Sequence, residues 1–131
     1  MNIDHKERRQ FSRLLFSDEK RISVTLRSSD LSETSFKADI MNLSEEGMGL
    51  RFMEREAASV CEGEHLYIVE ISGQHQLSFL KTVETKVKWI LEYKPSRGIR
   101  AGCKFMNLSE DTRNKIRTFI SSHIEFKRTG E

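Results

Sequence analysis

Apolar and polar residues alternate along most of the chain, and the alternation predicts the strands. Ile22, Val24 and Leu26 point one way while Arg21, Ser23, Thr25 and Arg27 point the other, the period of a half-buried strand. After a turn-like Ser28 to Glu33, Phe36, Ala38 and Ile40 line a second strand against Lys37 and Asp39, and Met48, Leu50 and Phe52 give a third. Glu54 to Glu64 is acidic and loop-like. In Leu66 to Ile71, Tyr67, Val69 and Ile71 alternate with Leu66, Ile68 and Glu70, so both faces are expected to be partly covered. Past a reversal at Gly73-Gln74, one long run from Leu77 to Tyr93 sets Val83, Thr85, Val87, Trp89 and Leu91 against Lys86 and Lys88. On this reading Trp89 belongs to the core. Lys94 to Gly98 breaks the run, and Ile99, Ala101, Cys103 and Phe105 form the last strand.

At Leu108 the period changes. Ser109 suits a helix cap, Glu110 and Asp111 suit the positive first turn, and Ile116, Phe119, Ile120 and His123 recur at helical spacing. The expectation is an all-β fold: a six-stranded antiparallel barrel with one C-terminal α-helix over an open end. No long crossover helices are available for a parallel sheet. Residues 1–18 read as a flexible, arginine-bearing arm docked by apolar side chains, 19–126 as the barrel with its helix, and 127–131 as a frayed tail.

Composition narrows the function classes. At 131 residues, 37% hydrophobic and 32% charged, the chain suits one globular domain, and a net charge of +2 makes no general case for DNA or RNA. Residues 1–27 nevertheless hold seven Lys or Arg against four acids, enough to steer an anionic partner. Cys61 and Cys103 lie far apart without a CxxC and read as free thiols. The start lacks an apolar leader and nothing reaches membrane-spanning length, so a cytoplasmic location without membrane insertion is expected. Phosphate loops, HExxH and zinc clusters are missing, and His5, His65, His75 and His123 are scattered. The expectation is no enzyme, no metal and no cofactor.

Two dense signals remain. Asn42-Leu43-Ser44-Glu45-Glu46-Gly47 joins two strands: Asn42 and Ser44 bring short polar side chains, and Gly47 permits a positive φ or a close approach. Upstream, Arg8-Arg9-Gln10-Phe11-Ser12-Arg13 sets two guanidinium groups four residues apart, suited to bidentate phosphate contact and to stacking on bases. Phe11 between them is placed to anchor the arm.

Arg9 to Arg13 and Asn42 to Gly47 together resemble the RxxxR and [D/N]xSxxG motifs of the PilZ domain, the bacterial receptor module for cyclic di-GMP. Val87-Lys88-Trp89-Ile90 and Gly102 to Phe105 with Leu108-Ser109 resemble the family's late strands and helix entry. The resemblance implies a six-stranded barrel with a C-terminal helix and a non-catalytic cyclic di-GMP receptor. Arg9 and Arg13 would grip phosphate and guanine, while Asn42, Ser44 and Gly47 shape the pocket. Arg8 would bear on whether one nucleotide or an intercalated pair binds. Asn42, where Asp is equally typical, keeps an acceptor without the charge. Output would pass in trans to a protein effector as the arm orders on the ligand. The rivals are a ligand-independent adaptor of PilZ type and a single-stranded nucleic-acid-binding barrel using Trp89 or Tyr67.

Overall fold

The computed structural model describes residues 13–16, 21–28, 35–53, 60–92 and 98–129, with Glu92 and residues 124–129 described by backbone alone. Most of the alternation becomes strand: β1 (Leu14–Leu15), β2 (Ser23–Ser28), β3 (Ser35–Leu43), β4 (Gly47–Phe52), β5 (His65–Ser72), β6 (Glu84–Glu92) and β7 (Ile99–Met106) precede helix α1 (Glu110–Thr129). Antiparallel pairing runs β3-β2-β5-β6-β7-β4, and β4 returns to β3, so six strands close into a barrel. Closure removes the exposed edges that an open sheet would leave. β1 is extra. It pairs Leu14 with Leu43 and Leu15 with Asn42, on the length of β3 beyond the Ser35 to Asp39 segment that pairs with β2.

Leu26, Leu43, Leu50, Phe52, Leu66, Ile68 and Val87 fill the interior with almost no solvent exposure. Each such side chain contributes about 1.5–3 kcal/mol on burial. Ile116, Phe119 and Ile120 of α1 join the same core. Ser109 caps this helix by accepting from Thr112 N at 3.1 Å, and Asp111 pairs with Lys115 one turn on. The backbone of α1 runs to Thr129, three residues into the tail expected over 127–131.

Bulges break the simple alternation, and two expectations need correction. In β6 the register shifts between Val87 and Trp89, leaving Lys88 as an extra residue. One extra residue reverses the faces of everything beyond it. Val87 is buried and Ile90 packs on the core, but Trp89 and Leu91 face outward, 45% and 52% exposed. Trp89 is therefore not a core residue. The run from Leu77 is also not one strand: His75–Leu80 forms a 3₁₀ helix that buries Leu77 and Leu80, Thr82 takes φ 76°, and β6 begins at Glu84. A matching shift in β3 between Ile40 and Asn42 turns Leu43 inward and Asn42 outward. In the arm, Leu14 is buried in β1 and Phe16 packs partly on the core. Ile3, Arg8, Arg9 and Phe11 lie outside the described residues. No helix among the described residues is long and apolar enough to cross a membrane.

Candidate functional site

The turn between β3 and β4 is built by Ser44. Its backbone N donates to Gly47 O at 2.9 Å, and its hydroxyl oxygen accepts from Glu46 N at 3.2 Å and Gly47 N at 3.3 Å. Ser44 is itself buried, so its hydroxyl is engaged in shaping the turn. Gly47 serves close approach: a Cβ there would stand 2.0 Å from the carbonyl oxygen of Cys103 on β7.

The β3 bulge aims Asn42 at two donors. Its Oδ1 accepts from Arg13 Nη1 at 2.9 Å and from Gly49 N at 3.1 Å. One side chain thus ties the end of the arm to β3 and β4. Gly49 must lack a side chain, because a Cβ would lie 2.6 Å from Asn42 Nδ2.

Registers carry this row onward. Leu15 faces Asn42, Asn42 faces Gly49, Gly49 faces Gly102, and Gly102 faces Trp89. A Cβ on Gly102 would fall 2.2 Å from Trp89 Nε1, so the indole leans over that glycine just as Asn42 leans over Gly49. Two adjacent glycines form a flat floor, walled by an amide with its guanidinium on one side and by an indole on the other. This is the base of a cleft of about 270 Å³ that Arg13, Ser44, Gly47 and Trp89 help to line. Lys88 and Lys104 enter from the β6–β7 side and Glu46 from the turn. A guanidinium and two ammonium groups against one carboxylate favour an anionic guest, and the exposed indole offers a face for a planar ring.

Beneath the floor, burial pushes the Cys103 thiol up to about 12, against a smaller downward pull from its hydrogen bond with Thr85. It is a neutral core group. No cluster suited to a metal ion occurs among the described residues.

Of the residues expected from the sequence, Arg13, Ser44 and Gly47 line the cleft, and Asn42 holds Arg13 at its edge. Arg8 and Arg9 lie outside the described residues. The sequence reading missed Gly49, Lys88, Gly102 and Lys104, and named Trp89 only as a stacking platform of the single-strand rival while placing it in the core. The two glycines carried a signal, since glycine inside a strand often marks close approach. The outward turn of Trp89 carried none.

A family model for the PilZ domain matches residues 7–122. No curated protein sequence matches the chain. Among solved structures, the chain is similar to the PilZ domain of Escherichia coli YcgR with c-di-GMP, at 16% identity and TM-score 0.69, covering 94% of this chain and 96% of that one. It is also similar to E. coli YcgR in complex with c-di-GMP, at 17% identity, TM-score 0.70 and 94% against 49% coverage. Bacillus subtilis MotI, an inhibitor of motility, gives 14%, 0.66 and 92% against 53%. The chain thus spans about half the length of the larger relatives, and at these identities the likeness is one of fold.

Proposed function

The chain belongs to the PilZ family, and from that footing we propose that it is a non-catalytic receptor for cyclic di-GMP acting in the cytoplasm. The observation that carries this reading is the convergence of Arg13, Asn42 and Trp89 around the Gly49–Gly102 floor. Support comes also from the two YcgR structures, which hold c-di-GMP in the same fold.

In this reading Arg13, with Arg8 and Arg9 before it, grips the phosphodiester and stacks on guanine. Asn42 holds Arg13 in position through its Oδ1, Ser44 and Gly47 keep the turn in shape, and Trp89 provides the opposing stacking face. Nucleotide draws the arm against the barrel, coupling segment ordering to binding and changing the surface shown to an effector protein.

Calorimetric titration of the folded chain with cyclic di-GMP tests the reading. Trp89 is the sole tryptophan, so quenching of its emission should track the same isotherm. Arg9→Ala and Arg13→Ala should each abolish most of the heat. No binding by folded protein up to roughly 50 μM nucleotide, where affinities of about 6 kcal/mol would register, overturns the receptor reading.

The exposure of Trp89 beside Lys88 and Lys104 also fits a single-stranded nucleic-acid binder. That reading requires salt-dependent binding to an oligothymidylate that survives Arg13→Ala.

A further inference from the structure

Overlapping one edge of the cleft, the outer wall of the barrel carries an unusual juxtaposition. Lys86 on β6 and Lys104 on β7 stand directly opposite each other in register, a like-charge pairing that disfavours the sheet. Buried neighbours on either side, Thr85 and Val87 for Lys86 and Cys103 and Phe105 for Lys104, fix both lysines on the outer face. Lys88, the extra residue of the β6 bulge, adds a third ammonium group nearby. None of the three has an ion-pair partner among the described residues. The acids close by are Glu84, engaged by His65, Glu64, engaged by Ser28 and Cys61 N, and Glu46, whose carbonyl accepts from Phe105 N beside Lys104.

The same bulge turns Trp89 and Leu91 outward side by side on β6, where both are about half exposed. An exposed aromatic and aliphatic pair ringed by cations has the composition of a protein-binding hot spot with a polar rim. The sequence spends a bulge to display these side chains, although alternation without it would bury them.

We propose that the outer face of β6 and β7 is a docking surface for an acidic segment of a partner protein, gripped by Lys86, Lys88 and Lys104 and anchored on Trp89 and Leu91. Charge complementarity selects the acidic character, and the two apolar side chains require apolar anchors within the segment. Lys88, Trp89 and Lys104 also line the nucleotide cleft. An anionic nucleotide and an acidic segment therefore compete for them, and each weakens the other by the same factor. This competition alone rests on the nucleotide reading.

The test uses the full chain and a fluorescein-labelled peptide of Glu and Asp around a central Leu-Phe pair, followed by anisotropy. Two control peptides replace the acids by Gln or the Leu-Phe pair by Ser-Ser, and an oligothymidylate of similar length is a separate competitor. The acidic apolar peptide should bind at least about tenfold more tightly than either control. Lys86→Glu and Leu91→Ser, neither of which lines the cleft, should each weaken it by about tenfold or more while leaving the cyclic di-GMP isotherm in place. Equal binding of the Gln control, indifference to both substitutions, or tighter binding of the oligothymidylate overturns the docking surface. Saturating cyclic di-GMP should raise the apparent Kd of the peptide. If the nucleotide binds and that Kd stays put, competition is overturned. If the nucleotide does not bind at all, the receptor reading and the competition fall together, and the peptide arms still decide the surface.

Discussion

Arg13 and Asn42, 29 residues apart in sequence, meet side chain to side chain at 2.9 Å. The contact exists because β1 pairs with the last residues of β3 and because a bulge has already turned Asn42 to the outside. Asn42 Oδ1 also accepts from Gly49 N, so the amide is a fixed junction rather than a free pocket group.

Replacing Asn42 by Ala removes one acceptor from two donors. Protein stability should fall by about 1 kcal/mol, the ordinary net value of such hydrogen bonds, and cyclic di-GMP affinity should fall further because Arg13 loses its positioning contact. Asn42→Asp should hold Arg13 more firmly through a charge-assisted bond and should bind nucleotide at least as well as the native chain. Thermal melts and calorimetry on the same preparations separate the two effects. An Asn42→Ala protein that binds nucleotide normally would remove Asn42 from the site.

Gly47 and Gly102 make opposite predictions although both sit under the cleft. A methyl group at 47 would strike the backbone carbonyl of Cys103, which cannot yield without moving β7. Gly47→Ala should therefore cost about 1–3 kcal/mol or more, as overpacking does, and appear as a lowered melting temperature. A methyl group at 102 would strike the indole of Trp89, a side chain already about half exposed and able to swing away. Gly102→Ala should keep the barrel but tilt the stacking face, giving a shifted Trp89 emission and weaker nucleotide binding with little change in melting. Equal loss of stability in both variants would argue against the indole lying on the floor.

The strands and terminal helix were legible because inside and outside alternate plainly in residues such as Val24, Leu26, Phe36 and Ala38. The turn was legible from Asn42, Ser44 and Gly47, whose residue types match the bonds they make. What stayed hidden depends on parity. A bulge is one extra residue with no distinctive side chain, and Lys88 or Met41 looks no different from its neighbours. Yet the shift at Lys88 moves Trp89 from the expected core to the cleft, and the shift at Met41 moves Asn42 from the inward face to Arg13. Pairing across the barrel was hidden as well. Nothing local to Gly49 or Gly102 says that the two are opposite each other, or that Asn42 and Trp89 flank them.

Glu45 gives the turn a second face. Between Ser44 and Glu46 its carboxylate points away from the cleft and accepts from Arg117 Nε at 2.9 Å and Nη2 at 3.0 Å on α1. That bidentate contact, first by hydrogen bonding and then by charge, holds the Arg117 guanidinium above its usual range. The raised pKa stabilises the fold at all pH values below the ordinary arginine range, so it adds no slope near neutrality. Its consequence is mechanical: the β3–β4 turn and the C-terminal helix are fastened to one another. Glu45→Gln should keep the barrel while speeding amide exchange in the first turns of α1. Nucleotide should slow that exchange in the native chain more than in the variant. Identical exchange in the two proteins would show that the pair does not transmit the state of the turn.

The two thiols should separate cleanly by chemistry and by pH. Cys61 is exposed and Cys103 is buried, and a thiolate is the reactive form. At pH 8 a thiol reagent should modify Cys61 in the folded protein and reach Cys103 only on unfolding. The pH dependence follows from burial, which lifts Cys103 from 9.0 to about 12. The raised group favours the folded state fully below pH 9 and loses that contribution as pH climbs from about 9 toward 12, because the unfolded chain ionises first. Melting temperature should therefore decline more steeply above pH 9 in the native chain than in Cys103→Ala, whose lower starting stability reflects the lost packing under Gly47. Parallel alkaline limbs in the two proteins would show that Cys103 ionises in the folded barrel as readily as in the unfolded chain.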